Sequence, residues 1–154
     1  MKKFQFKLET VHKVREIRQE REAVILAELQ TAAEQAAQEV VRIDTLRQQA
    51  IENYTRRVRS GETLDAREME LNSNHFTSLT RQQKEAEDDL LQRERLCTKQ
   101  VEAVTEAMRE VKITDRLRET QAERHRLAFN RQEQNGVDEH VAGTFARRII
   151  ETKK

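Results

Sequence analysis

The sequence predicts an all-α fold, a long antiparallel two-helix coiled-coil hairpin. The 154 residues include no proline and only three glycines, so sharp reversals are few. Charged residues make up 37% of the chain and aromatic residues only 4%, too few aromatics for the core of a compact globule of this length. Apolar residues recur every three or four positions, as they do in helices that pack along one stripe. We therefore predict a single elongated hairpin over residues 1–154.

The first arm is predicted to span residues 5–59. Its apolar stripe is typical of a coiled-coil helix that contacts a partner along one side. The stripe consists of Leu8, Val11, Val14, Ile17, Ile25, Leu29, Ala32, Ala36, Val40, Ile43, Ala50, Tyr54 and Val58. Glu9 precedes Lys13 by four positions, which favours an ion pair on the solvated face. Glu52 precedes Arg56 in the same way, and we expect a second pair there.

The turn is predicted at residues 60–64. Gly61 tolerates the positive φ that is common just past a helix C-terminus. The preceding turn is basic, as the helix dipole favours, and contains Arg56, Arg57 and Arg59. Because the helix end accounts for these arginines, a phosphate-binding role is not required. Asp65 is predicted to cap the second helix, with Glu68 as the other half of a capping box.

The second arm is predicted to span residues 65–135. Its stripe consists of Phe76, Leu79, Ala86, Leu90, Cys97, Val101, Val104, Met108 and Val111. Gln83 and Arg93 interrupt the stripe, and such polar insertions lower stability but can fix the register of a coiled coil. Cys97 is interpreted as a small residue of the stripe, since no redox or nucleophile motif surrounds it.

Folding back at Gly61 predicts which residues of the two arms face each other. The expected pairs are Tyr54 with Met69, Leu46 with Phe76, and Leu8 with Val111. The second arm is longer than the first, so we expect it to lack a partner beyond about Arg118. Gly136 and Gly143 predict a loosely ordered tail over residues 136–154, with at most a short final helix.

Composition and motifs exclude several classes of function. The formal net charge is +1, with both signs interspersed, so neither nucleic acid nor an anionic membrane is an expected partner. No phosphate loop, nucleotide motif or nucleophile elbow occurs, so we expect no enzyme activity and no small-molecule substrate. The four histidines lie far apart in sequence without a second ligand at metal spacing, so no metal or other cofactor is expected.

A cytoplasmic location is predicted from cysteine content and hydropathy. The single Cys97 cannot form an internal disulfide, which favours a reducing compartment. The amino-terminal stretch resembles a signal peptide only in its first charges, because charged residues interrupt the segment behind them. No uncharged run approaches the length that a membrane-spanning helix requires.

Two stretches differ from an ordinary coiled coil. Residues 71–80 carry no charge and contain Phe76. This stretch is either a chance gap in the surface charge or a docking patch, since interface centres are depleted of charge and enriched in aromatics. Phe4 and Phe6 place two of the five phenylalanines at one end of the chain. They either cap the helix pair or enter a socket on a partner.

Three groups of residues, taken in order, carry a more specific signal. They are Phe4-x-Phe6-x-Leu8 followed by Val11, Val14, Arg15 and Glu20; Tyr54 before the turn with Phe76 and Leu79 after it; and Asn130-Arg131-Gln132-Glu133-Gln134 followed by Asp138, Glu139 and Ala142. With the chain length and the position of the turn, these groups resemble the flagellar export protein FliJ and its relatives. The resemblance covers nearly the whole chain. Gly136 departs from the family pattern.

The resemblance implies a non-enzymatic stalk, similar in shape to the central stalk of rotary ATPases. Such a stalk inserts its termini into the hexameric flagellar export ATPase, promotes ring assembly and activity, and contacts the cytoplasmic part of the membrane export gate with its other end. It also handles export chaperones and lies at the cytoplasmic face of the membrane. The residues expected at the gate are Tyr54, Phe76 and Leu79, and those expected at the ATPase are Phe4, Phe6, Leu8, Arg131, Glu133 and Gln134.

Two alternatives remain open at the level of sequence. An injectisome, the related secretion system, uses a similar stalk. A passive coiled-coil scaffold that associates with itself would have the same composition and periodicity. A monomer or weak dimer in solution would favour the stalk, whereas an obligate tetramer would favour the scaffold.

Overall fold

Two long helices form the fold, which a computed structural model describes for residues 4–151. Helix α1 spans Glu9–Arg59 and helix α2 spans Ala66–Glu151, and residues 60–65 connect them. The two helices pack against each other, and the described residues include no β-strand. The predicted all-α hairpin is therefore confirmed. No helix in the described part of the chain is long and apolar enough to cross a membrane.

The chain is organised in two compact units. The terminal unit combines the chain up to Arg18 with the chain from Ala107 onward, and the central unit comprises Gln19–Glu106. Within each unit, residues that come earlier in α1 pair with residues that come later in α2, so the helices run antiparallel in both units. Cross-helix pairs include His12 with Thr114 and Glu9 with Arg118 in the terminal unit, and Glu22 with Gln100 and Arg47 with Gln83 in the central unit.

The helices meet along seams in which polar residues alternate with apolar ones. Half-buried or buried positions recur at steps of three and four, as a coiled coil requires. On α1 they include His12, Arg15, Gln19, Glu22, Leu26, Leu29, Ala33, Ala36, Val40, Ile43, Arg47, Ala50, Tyr54 and Arg57. On α2 they include Glu68, Asn72, Phe76, Leu79, Gln83, Ala86, Leu90, Arg93, Cys97, Gln100, Val104, Ala107, Val111 and Thr114. The prediction that Gln83, Arg93 and Cys97 belong to this seam is confirmed.

Part of the predicted apolar stripe does not lie in the seam. Val14 is 60% exposed and Ile17 is 49% exposed, whereas His12, between two predicted stripe residues, is 3% exposed. On α2, Val101 and Met108 also face solvent. Near the start of α1, the seam therefore contains His12 and Arg15 instead of the predicted Val11 and Val14. The cross-helix hydrogen bond of His12 turns this face of α1 toward α2.

The buried core is thin. Its apolar members are Phe6, Ala36, Ile43, Leu79, Ala107 and Val111. Burying one large apolar side chain contributes about 1.5–3 kcal/mol, and only a few such side chains are buried here. The long helices consequently depend on many small contacts, including the polar pairs of the seam, rather than on one central core.

The connection is built as its sequence predicts. Gly61 has a φ of 77°, and its N–H donates to the carbonyl of Val58 at 3.3 Å, which closes the end of α1. At the start of α2 the Glu68 N–H donates to Asp65 Oδ1 at 2.7 Å, and the Asp65 N–H donates to Glu68 Oε2 at 3.3 Å. These two bonds are the reciprocal pair of a capping box. The predicted helix stop and restart are confirmed.

The residues that pair between the two helices differ from those predicted by folding the chain back at Gly61. Tyr54 contacts Phe76 instead of Met69, with the ring centroids 5.9 Å apart, so Phe76 is also not the partner of Leu46. In the terminal unit Glu9 pairs with Arg118, so the neighbouring Leu8 faces a region of α2 beyond Val111. Because the connection occupies residues 60–65, the chain reverses direction beyond Gly61. These residues of the first arm therefore meet α2 residues with higher numbers than predicted.

Both predicted ion pairs on α1 are absent from the described residues. The carboxylate of Glu9 lies 3.8 Å from Arg118 on the other helix rather than near Lys13. Glu52 makes no ion pair with Arg56 despite the favourable spacing. Exposed pairs of this kind contribute at most a few tenths of a kcal/mol, which is too little to hold two flexible side chains together.

Helix α2 does not end where the sequence predicts. The second arm was expected to end near residue 135, before a loose tail over residues 136–154, but α2 continues through Gly136 and Gly143 to Glu151. A glycine inside a helix costs about 1 kcal/mol relative to alanine, whereas a proline would cost about 3 kcal/mol. Two isolated glycines without a proline therefore do not stop the helix. Helix α1 begins at Glu9, and residues 152–154 of the predicted tail lie outside the described residues.

Candidate partner-binding surfaces

The residues predicted to meet the export gate lie in the central unit near the connection. The rings of Tyr54 and Phe76 meet edge to face with an interplanar angle of 87°, one from each helix. Both side chains are half-buried, so each keeps part of its ring in solvent. Leu79 is only 4% exposed and belongs to the core. The structure thus joins the two aromatics and places the leucine beneath the surface.

The uncharged stretch 71–80 is helical, and its exposed side includes both polar and apolar side chains. Leu71 is 61% exposed, and Met69, just before the stretch, is 53% exposed. Thr77 directs its hydroxyl to the carbonyl of Ser73 at 2.9 Å, a bond within the same helix turn. The Thr77 hydroxyl is therefore satisfied within its own helix. The stretch that contains Phe76 also offers exposed apolar area at Leu71 without a charged side chain.

A charge network holds the connection next to these aromatics. The Arg57 guanidinium donates two hydrogen bonds of 3.0 Å to Glu62 and one of 3.2 Å to Glu68. The hydrogen bond from Arg57 holds the pKa of Glu62 below its ordinary range, and the Glu62 carboxylate raises the pKa of Arg57 further above neutrality. The arginine therefore links the end of α1, the connection and the first turn of α2.

The residues predicted to meet the ATPase lie in the terminal unit. The ring of Phe4 lies 5.6 Å from the ring of His125. The amino-terminal segment before α1 therefore packs against α2. Phe6 is 8% exposed and Leu8 is 38% exposed. A shallow pocket is lined by Phe4, Gln5, Phe6, Glu9 and Arg118. Since Phe4 contacts His125, α2 has a partner farther along than the predicted limit near Arg118.

Beyond His125 the side chains of α2 are exposed as far as Phe145. Arg131, Glu133 and Gln134 all lie in this exposed segment, together with the half-exposed Leu127 and Phe129. No hydrogen bond or ion pair joins Arg131, Glu133 or Gln134 to the amino-terminal segment within the described residues. The two predicted groups share the terminal unit but form separate surfaces along α2.

A cross-helix polar cluster in the terminal unit escaped the sequence analysis. His12 Nδ1 lies 2.9 Å from Thr114 Oγ1, and both residues are almost fully buried. Arg15 donates to the carbonyl of Glu110 at 3.0 Å, and Arg18 lies 3.3 Å from the carboxylate of Glu110. The seam residues Ile43, Ala36 and Leu29 predict earlier seam positions at steps of three and four, and this series includes His12. The spacing could therefore have identified the cluster from the sequence.

The described residues contain no group of three or more histidine, cysteine or acidic side chains arranged to hold a metal ion. The candidate surfaces consist of aromatic, aliphatic and charged side chains. They lie in two different units of the chain, one containing the connection and the other containing the start of α1 and the later part of α2.

Comparison with known proteins identifies the family. The family model described as flagellar FliJ protein matches residues 4–149. No curated protein and no solved structure shows a significant match to the chain. The family match contains all three groups of residues on which the resemblance was recognised, and it favours the flagellar system over an injectisome. The chain therefore belongs to the FliJ family, whose members are non-catalytic components of flagellar protein export.

Proposed function

We propose that this chain is the coiled-coil stalk that binds and stimulates the hexameric flagellar export ATPase and couples it to the export gate. The terminal unit contacts the ATPase, and the connection end of the central unit contacts the cytoplasmic part of the gate. The observation that carries this assignment is the separation of two candidate binding surfaces into different units of one two-helix chain. A two-helix element is stiffer than a single helix and can transmit contact between two partners.

The ATPase surface is proposed on the exposed part of α2 and the amino-terminal segment. Leu127, Arg131 and Gln134 follow the spacing of one helix face. Phe129 and Glu133 have the same four-residue spacing on an adjacent face. Each face thus offers one apolar anchor with polar groups beside it, a combination common at protein interfaces. Phe4 and Leu8 supply the second part of this surface, and the buried Phe6 supports them from below.

The gate surface is proposed around Tyr54 and Phe76. The exposed parts of their rings, with Leu71 in the uncharged stretch and Met69 just before it, offer apolar area near the connection. Leu79 supports this surface from below, because it is too buried to contact a partner directly. Interfaces often depend on a few aromatic anchors of this kind.

Handling of export chaperones completes the proposal. The long exposed side of α2 beyond His125 offers room for a second helical partner. With both partners at the export apparatus, the chain acts in the cytoplasm and at the cytoplasmic face of the cell membrane. In this role it contributes to flagellar assembly and motility without an active site of its own.

ATP turnover by the purified cognate export ATPase tests the proposal. We expect the chain to raise turnover and to promote assembly of the ring. Leu127→Ala combined with Phe129→Ala should reduce the stimulation, because it removes both apolar anchors of the exposed segment. Val24→Ala combined with Val41→Ala is the matched control, since both valines are exposed in the central unit. Neither binding nor stimulation, under conditions in which the ring assembles, would refute the proposal.

A further inference from the structure

A shallow groove on α1 near its C-terminal end is not used by the proposed function. Ile51, Glu52, Thr55, Arg56 and Arg59 line it. Ile51 is 39% exposed, so the groove combines one accessible apolar side chain with two guanidinium groups. The spacing of these residues places them along one face of the helix.

The two arginines of the groove have no partner among the described residues. Neither Arg56 nor Arg59 forms an ion pair or a side-chain hydrogen bond, although Glu52 stands at pairing distance in sequence from Arg56. The helix dipole favours positive charge at this end of α1, but it does not engage the donor groups of the guanidinium. Ten N–H donors, five on each guanidinium, are therefore directed to solvent or to a ligand.

The acidic side chains of the neighbouring connection are already engaged. Glu62 accepts two hydrogen bonds from Arg57, and Glu68 accepts a third. Asp65 accepts the N–H of Glu68 in the capping box. These carboxylates neutralise Arg57 and cap α2, and they leave Arg56 and Arg59 uncompensated.

We propose that this groove binds an acidic segment of another protein, with two carboxylates on Arg56 and Arg59 and one apolar side chain on Ile51. Guanidinium groups bind carboxylates through paired hydrogen bonds, which fix direction as well as charge. Two arginines one helical turn apart suit two acidic side chains at helical or extended spacing, and Ile51 adds the apolar contact beside them. The site is separate from the aromatic pair and does not depend on the identity of the partner at the gate.

An anionic membrane fits this groove less well than an acidic peptide. Glu52 lines the groove itself, and Glu70, which has no partner in the described residues, lies on the same end of the central unit. A flat anionic surface that reaches the arginines would also approach these carboxylates, and like charges repel. A peptide can place individual carboxylates on the guanidinium groups and avoid the acidic residues.

Binding of a labelled peptide to the full chain tests the inference. The probe carries the sequence Glu-Glu-Leu-Glu-Glu in a glycine–serine frame, and a second probe replaces each glutamate by glutamine. Fluorescence anisotropy should show binding of the acidic probe only. Arg56→Gln with Arg59→Gln should weaken binding about tenfold or more, because two charge-assisted contacts are lost. Arg56→Lys with Arg59→Lys should recover only part of the affinity, since lysine keeps the charge without the planar fork.

The matched control removes the same charge elsewhere in the central unit. Arg21→Gln with Arg95→Gln changes two exposed arginines that also have no partner in the described residues, and it should alter affinity less than about twofold. An equal loss in this control would overturn the inference, because binding would then reflect net charge alone. Failure of the wild-type chain to bind the acidic probe would overturn it as well. The inference would also be overturned if the chain did not bind the peptide but sedimented with phosphatidylserine vesicles in a way that depends on Arg56 and Arg59.

Discussion

The Nδ1 atom of His12 lies 2.9 Å from Oγ1 of Thr114, and this contact joins two residues 102 positions apart. Thr114 Oγ1 also lies 2.8 Å from the carbonyl oxygen of Val111, so this hydroxyl connects the histidine ring to the backbone of α2. The other ring nitrogen, Nε2, faces the carboxylates of Glu16 at 3.2 Å and Asp115 at 3.4 Å. Both ring nitrogens of this buried histidine therefore have polar partners, and those on α2 link the two helices in the terminal unit.

Thr114→Val should destabilise the protein. The change keeps the shape and β-branching of the side chain but leaves the buried Nδ1 of His12 without its hydrogen-bond partner, at a cost of about 1–3 kcal/mol. Urea unfolding followed by circular dichroism measures the difference. Thr105→Val is the control, because the exposed Thr105 hydroxyl bonds only to a carbonyl of its own helix. Equal unfolding midpoints for the two variants would contradict a structural role for the cross-helix bond.

Gly61→Ala should also destabilise the hairpin. No atom lies within 4 Å of an added Cβ, so the cost comes from the φ of 77°, which costs an alanine about 1–2 kcal/mol. Gly136→Ala makes the same chemical change inside a helix with equally open surroundings, and it should stabilise by about 0.5–1 kcal/mol. Thermal unfolding of both variants should therefore shift in opposite directions.

A longer connection should reveal whether Gly61 alone directs the reversal. When Gly61→Ala is combined with an insertion of helix-forming residues, the two helices can fuse into one continuous helix. Small-angle scattering should then report a longer particle or an antiparallel dimer. An unchanged scattering profile would mean that cross-helix pairing sets the turn.

The connection should weaken in acid. Arg57 holds the pKa of Glu62 below its ordinary value of 4.5, chiefly through a hydrogen bond. A carboxyl with a lower pKa in the folded state stabilises that state above its unfolded pKa, and the contribution disappears as the pH falls through the folded pKa. Glu62→Gln should therefore lose less thermal stability between neutral and acidic pH than the wild type does. Glu70→Gln, an exposed acid without a partner in the described residues, should behave like the wild type.

Substitutions at the two proposed surfaces should separate the two activities. Tyr54→Ala with Phe76→Ala should weaken gate binding about thirtyfold and reduce motility, while helicity and ATPase stimulation remain. Phe4→Ala with Leu8→Ala should do the reverse, and Leu8 is chosen because Phe6 is buried. Loss of ATPase stimulation in the first pair at unchanged helicity would contradict the assignment. A comparable fall in helicity for both pairs would make these residues ordinary packing contacts.

The two-helix architecture and its turn could be predicted from local sequence alone. Gly61 and the Asp65–Glu68 capping box act over three or four residues, and such signals depend little on the rest of the chain. The absence of proline and the three-to-four spacing of apolar residues predicted two long helices for the same reason. The family resemblance rested on short groups of residues that the match over residues 4–149 contains.

Only the tertiary structure decided how the two helices face each other. Many registers of a coiled coil offer similar apolar contacts, and partners such as His12 and Thr114 are far apart in sequence. The choice among registers depends on which buried polar groups find acceptors and donors across the seam, because an unsatisfied buried group costs more than a misplaced exposed valine. The pairing of His12 turned Val14 to solvent, and the extent of the connection placed Tyr54 on Phe76 rather than Met69; both could be evaluated only with both helices in position.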